Sequence, residues 1–365
     1  MDLRVLFVSS SPSDDSTAYT TRLLTLKKGL EQLGTTTDIL YLGDYFLRSP
    51  QIIQMANMPF FLKHMRTHNI IHGGHLSATY VSGITKPLLN TKIVYDVHGD
   101  MAGDFRLCRR NRFDPFFNYK VFESMIMEPI ATRLSDYFIT CSYPLKELYL
   151  SKGIEARKIE VIRNGVNTEI FSPGAEITEN EKFTVTYAGA FQKWQTIDLL
   201  VDAAKSLKKL DITFRFIGFT PEDLTLKETI KQQLGDKAEL IDRLPQIKLI
   251  RQLQKSDVLI IPRGRQRTLM YAFPTKFAEY IAIGKPVIVT NVDETSGFVK
   301  RSDCGFVCEP TVESIASTII EASESSHRSL IKKGINARKL AESEFDQMVI
   351  SKRYFNFLTK IAQEN

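Results

Sequence analysis

Short apolar, β-branched runs alternate along the chain with longer stretches of helical period. In the first half the strand candidates are residues 3–9, 37–42, 69–74, 92–98, 136–142 and 159–165. In the second they are 183–189, 212–218, 238–244, 258–263, 286–291 and 305–310. Runs that are apolar throughout mark strands covered on both faces, and strands separated by helices pair in parallel. The pattern predicts two doubly wound α/β domains in tandem, residues 1–172 and 183–344. The polar stretch SPGAEITENEK (172–182), with its Pro and Gly, reads as the linker. A last amphipathic pattern over 345–365 predicts a helix packing back on the N-terminal domain. Ligands of such folds bind beyond the carboxyl ends of the strands, and two such domains are expected to face one another across a cleft.

Composition agrees with this reading. A chain of 365 residues exceeds the size at which one core stops growing, and 43% hydrophobic with 25% charged residues is ordinary for a folded protein. No apolar run approaches the ~18 residues of a membrane span, and the N-terminus runs straight into the strand-like LRVLFVSS. The net charge of +6 suits an anionic small molecule or an anionic lipid surface better than a nucleic-acid groove. Cys108, Cys141, Cys304 and Cys308 are too few and too scattered for a disulfide framework, so a reducing, cytoplasmic compartment is expected. Cys304 and Cys308, in a strand-like run, read as small buried hydrophobes, and no metal site is expected.

Missing motifs narrow the chemistry. No two glycines stand two apart, so no G-x-G-x-x-G follows a strand, and a nicotinamide or flavin fingerprint is excluded. The chain also lacks G-x-x-x-x-G-K-[ST], H-E-x-x-H, D-x-D and G-x-S-x-G. Residues 274–290, PTKFAEYIAIGKPVIVT, carry the clearest positive signal. Thr275 is the expected N-cap of a short helix, with Lys276 and Glu279 on adjacent turns and Gly284 as its left-handed stop. A helix N-terminus with a lysine is a site for a diphosphate, and a carboxylate one turn further in can accept hydrogen bonds from ribose hydroxyls. A helix with merely solvated Lys and Glu is the alternative.

Three stretches together carry a family resemblance. VIRNGVNTEIFSP (161–173), TYAGAFQKWQTIDLLVDA (186–203) and PTKFAEYIAIGKPVI (274–288) resemble, in order and spacing, the domain junction, glycine loop and donor helix of retaining nucleotide-sugar glycosyltransferases of the GT-B fold, similar to family 4. That resemblance implies two Rossmann-like domains, the second holding a UDP- or GDP-sugar and the first the acceptor. It implies that Gly189 lets the backbone approach the donor diphosphate, that Lys193 neutralises it, and that Glu279 faces the ribose. The first glutamate of the family's pair falls at Tyr271, and Ala190 stands where many relatives have Arg. Arg263 or Arg265 is then the expected substitute in the phosphate clamp. The donor-binding set is therefore Gly189, Lys193, Arg263, Tyr271, Thr275, Lys276 and Glu279.

In the first half, His98 and Asp100 follow the buried strand KIVYDVH, and the resemblance gives them the catalytic position beside the donor sugar. HGGH (72–75) follows the third strand, with His72 and His75 as acceptor-side candidates. The 105–120 stretch joins Arg106, Arg109, Arg110, Arg112 and Lys120 to five aromatic residues. It reads as a membrane-surface patch or an acceptor groove, with core aromatics under a basic face as the alternative.

These features predict transfer of a sugar from a nucleoside diphosphate to a hydroxyl of a glycan or lipid-linked glycan. Retention, no metal and no other cofactor are expected, in a cytoplasmic protein with peripheral contact to an anionic membrane. Two alternatives remain open: a nucleotide-sugar epimerase, and a GT-B-like binding protein that has lost catalysis.

Overall fold

The computed structural model describes residues 3–14, 18–45, 58–89, 91–108, 113–174, 181–192 and 195–364. Two compact units emerge, residues 1–165 with 347–365, and residues 166–346. Each contains one six-stranded parallel sheet.

In the first unit β1 (Arg4–Ser9), β2 (Thr36–Tyr41), β3 (Ile70–Gly73), β4 (Lys92–Val97), β5 (Tyr137–Thr140) and β6 (Ile159–Val161) lie in the order β2-β1-β3-β4-β5-β6. Period-two alternation sends successive β1 residues to opposite faces. Val5 and Phe7 join Leu23, Leu26 and Leu30 of α1 (Ala18–Gln32), whereas Leu6 and Val8 join Ala78 and Val81 of α2 (Leu76–Thr85). On the outer faces follow α3 (Met101–Cys108) and α4 (Pro115–Leu134).

The second unit holds β7 (Phe183–Ala188), β8 (Ile212–Phe219), β9 (Ala238–Asp242), β10 (Val258–Ile261), β11 (Val287–Thr290) and β12 (Gly305–Cys308), ordered β12-β11-β10-β7-β8-β9. The strand order reverses between β7 and β10, the place where doubly wound sheets receive ligands. The helices that matter below are α5 (Thr275–Ala282) and α6 (His327–Leu340).

The helix α7 (Gln347–Gln363) returns to the first unit and packs along α1. Gly29 allows the approach, because a Cβ there would lie 1.9 Å from Ser351 Oγ. Both its ends differ slightly from the expected 345–365, since Ala341–Phe345 forms a π turn belonging to the second unit. The first unit likewise ends at Gly165 and not at 172. Residues 166–172 are drawn into the second unit by the Val166 N–H to Phe345 O bond (2.9 Å) and by the Arg338 guanidinium, which donates to the carbonyls of Thr168 and Phe171. Of the expected linker, residues 175–180 lie outside the described residues. No described helix is long and apolar enough to cross a membrane.

Candidate active site

The second unit builds its site around one helix. Lys276, Glu279 and Tyr280 stand at i, i+3 and i+4 of α5 and so share a face. Tyr280 ties that face to the end of β7, its hydroxyl accepting from Ala188 N–H (2.7 Å) and donating to Ala188 O (3.0 Å). The opposite anchor is aromatic: Phe277 and Phe273 pack against Phe298 and Phe345. With α5 held this way, Lys276 lies directly over Gly189. A Cβ on Gly189 would fall 2.0 Å from Lys276 Cε, and its φ of +140° also favours glycine.

Lys276 Nζ donates to Tyr187 Oη (2.8 Å) and Gln195 Oε1 (2.9 Å), two neutral acceptors. Burial pushes its pKa down to about 7, and the Arg263 charge adds to that. Burial pushes Glu279 up to about 7 despite Lys276 nearby. Among the described residues nothing hydrogen-bonds the Glu279 carboxylate. Two groups of opposite ionic character thus share one face of α5, and burial brings both of their pKa values to about 7.

Other residues expected at this site have different tasks. Pro274, not Thr275, occupies the N-cap of α5; its extended backbone (φ −70°, ψ 123°) turns the chain into the helix without any side-chain cap, and Thr275 is the first helical residue. Arg263 forms a buried ion pair with Asp293 and donates to Ala272 O (3.0 Å), so it enters as half of a neutral pair and not as a free clamp. Arg265 is paired with Glu309 on the surface. Tyr271 lies beside Arg267 on a short helix, its hydroxyl 3.3 Å from Arg267 Nε. Lys193 lies outside the described residues. Cys304 and Cys308 are buried, as their small apolar character suggests.

In the first unit the strand ends gather a buried ionic network. Arg22 on α1 grips Asp96 on β4 with two bonds (2.9 and 3.0 Å) and gives a third to Asn164 Oδ1 (3.2 Å). Nε2 of His72 and Nε2 of His98 each stand 3.4 Å from Asp96 Oδ2. Burial disfavours the Asp96 charge, yet Arg22 and His98 outweigh it and hold the carboxyl well below its usual range. Both Nε2 atoms face that carboxylate, which orients the two rings. On His72, Nδ1 meets Tyr354 Oη of α7 at 2.7 Å.

This geometry corrects two expectations. His72 is fully buried and held between Asp96 and Tyr354, so it cannot touch an acceptor; on a covered β3 strand its ring points into the unit. Asp100 accepts Gly103 N–H (3.0 Å) and caps α3, a structural task. His98 keeps 22% of its side chain exposed. His75 stands with its ring centroid 6.5 Å from that of His98, both edging Tyr19, and burial with the His98 charge pushes it down to about 4. Arg22, Asp96, Tyr354, Tyr187 and Gln195 escaped the sequence reading. A charged Asp inside the apolar run KIVYDVH was the one available signal, because a buried carboxylate demands a cation.

Known proteins place this arrangement. The chain matches the family model "Glycosyltransferase Family 4" over residues 19–170 and "Glycosyl transferases group 1" over 169–339. It belongs to the family 4-like glycosyltransferases of GT-B fold. It is 25% identical over 238 residues to a Bacillus subtilis protein provisionally named as the teichuronic acid biosynthesis glycosyltransferase TuaH, a match spanning 59% of this chain and 55% of that protein's length. Its fold is similar to sucrose-phosphate synthase from Thermosynechococcus elongatus (TM-score 0.80, 16% identity, 99% of both chains). It is also similar to Anabaena HepE, solved with UDP (TM-score 0.73, 16% identity, 98% of this chain and 100% of that one).

Proposed function

We propose that this protein moves a sugar from a nucleoside diphosphate to a hydroxyl of a glycan or lipid-linked glycan, with retention and without a metal. The observation that carries this reading is the seating of Lys276 over the Cβ-free backbone of Gly189, at the strand-order reversal of the second sheet. There the diphosphate meets the lysine and the glycine backbone beside it, while Glu279 accepts from the ribose hydroxyls. HepE, solved with UDP and with UDP-glucose, supports a uridine donor, and the TuaH name supports a polysaccharide acceptor.

In the reaction the bond from the anomeric carbon to the diphosphate oxygen breaks and one to the acceptor oxygen forms on the same face. The acceptor's proton passes to the departing diphosphate. Lys276, held charged by the bound diphosphate, stabilises the charge that develops on that leaving group. His98, its Nε2 turned to Asp96, presents Nδ1 to a sugar hydroxyl. Positioning, not a protein nucleophile, supplies most of the rate.

Nucleotide release measured over a panel of UDP- and GDP-sugars, with and without a lipid-linked glycan, tests this directly. Release that depends on the acceptor and persists in excess EDTA is expected. Isomerised free sugar without any acceptor, or a strict Mg²⁺ or Mn²⁺ requirement, contradicts the proposal.

A further inference from the structure

One polar side chain beside the donor site has no task within the protein. Gln266, in the loop after β10, occupies the N-cap of the short helix Arg267–Tyr271 but makes no side-chain cap bond. Its Oε1 is buried and meets no hydrogen-bond partner among the described residues. A buried amide oxygen left this way costs stability, and folded proteins keep few of them. The backbone nevertheless makes room for it. A Cβ on Gly264 would lie 2.8 Å from Gln266 Oε1, 3.1 Å from its Nε2 and 2.8 Å from Thr196 Cγ2. Thr196 in turn is left-handed (φ 48°, ψ 41°), a conformation that a β-branched residue rarely takes, and its hydroxyl donates to Pro262 O. Backbone strain of this kind gathers at ligand sites.

The surroundings give the carboxamide a use. Gln266 and Thr196 flank one spot over Gly264, and Gln195, next to Thr196, accepts from Lys276 Nζ (2.9 Å). That spot therefore adjoins the lysine, between the loops after β7 and β10, where the strand order reverses. In a nucleotide sugar the diphosphate separates the ribose from the sugar. With the diphosphate on Lys276 and the ribose on Glu279, one turn further along α5, the sugar falls on the Gln195 side. Carboxylates of this edge are engaged elsewhere, Asp293 by Arg263 and Glu309 by Arg265, and the first glutamate position of the family's pair holds Tyr271. A carboxamide both donates and accepts, and a half-turn about its last bond presents either atom to a hydroxyl.

We propose that Gln266 is a specificity-determining residue for the donor sugar, its carboxamide hydrogen-bonding a sugar hydroxyl beside Gly264. The inference rests on the donor reading above and adds to it the group that reads the sugar. Calorimetric titration of UDP, UDP-glucose, UDP-galactose and UDP-N-acetylglucosamine into the full-length wild type and Gln266→Ala tests it. The wild type is expected to prefer one of the three sugars, and Gln266→Ala to narrow that preference by at least about fivefold, the scale of one hydrogen bond. Its affinity for UDP alone should stay within about twofold. Its melting transition should be no lower than that of the wild type, because Gln266 bonds nothing in the unliganded protein. A wild type that binds the three UDP-sugars alike, a variant that keeps the wild-type ranking, or a variant that loses UDP as strongly as UDP-sugar overturns the inference while leaving the donor reading intact. A lowered melting transition also overturns it, by giving Gln266 a structural task. A wild type that binds neither UDP nor any of the sugars sinks the uridine-donor reading itself, and this inference with it.

Discussion

The two strand-edge sites handle buried charge in opposite ways. In the first unit the buried Asp96 carboxylate is gripped by Arg22 through two hydrogen bonds, with Nε2 of His72 and of His98 each 3.4 Å away, so it meets a full counter-charge within the protein. In the second, Lys276 is held only by neutral acceptors and Glu279 by no hydrogen bond among the described residues, so burial drives their pKa values toward one another at about 7. A buried charge gripped by a counter-ion fixes geometry, whereas charged groups buried without a hydrogen-bonded counter-ion cost stability.

The sharpest way to break the contrast is to remove one carboxylate from each site. Asp96→Asn strands the buried Arg22 guanidinium and is expected to cost about 3–5 kcal/mol in denaturant unfolding. Glu279→Gln should leave stability near neutral pH unchanged or raised, because burial holds this carboxyl above its unfolded range and its charged form opposes folding. Equal losses would erase the distinction. In ligand binding the ranking reverses: Glu279→Gln should weaken UDP by about 1.5 kcal/mol, the scale of a charge-assisted hydrogen bond, measured by calorimetry.

A pH titration sharpens the same point. Free Lys276 loses its proton through pH 7, whereas a bound diphosphate holds it charged, so binding takes up a proton on the alkaline side. UDP affinity should fall by up to about tenfold per pH unit above 7, and Lys276→Met should flatten that limb. The smallest expected effect is at Tyr354→Phe, where loss of the hydroxyl on His72 should cost about 1 kcal/mol without changing UDP affinity. A comparable loss of UDP affinity would show that the two sites are not separable in this way.

The twelve strands were legible because continuous apolar runs have few other uses, and the α5 residues because lysine, glutamate and glycine stood in one short stretch. Legibility failed where a role depends on distant partners. His72 and His98 look alike in sequence, yet Tyr354, 282 residues from His72, pulls one inward. Asp100 looked catalytic and caps a helix because the helix begins immediately after it. Arg263 looked free until Asp293, 30 residues on, claimed it. Composition alone lets 105–120 read as a surface patch, an acceptor groove or covered core aromatics; which rings are covered depends on distant packing, and Phe113, Phe116 and Tyr119 are exposed.

Titration calorimetry of UDP and UMP into the wild type and Lys276→Met at pH 7 tests the central claim most directly. With Lys276 seated over Gly189 to receive a diphosphate, the variant should lose about 1.5–3 kcal/mol of UDP affinity and much less for UMP. Equal losses for the two nucleotides, or unchanged UDP binding in the folded variant, would contradict it.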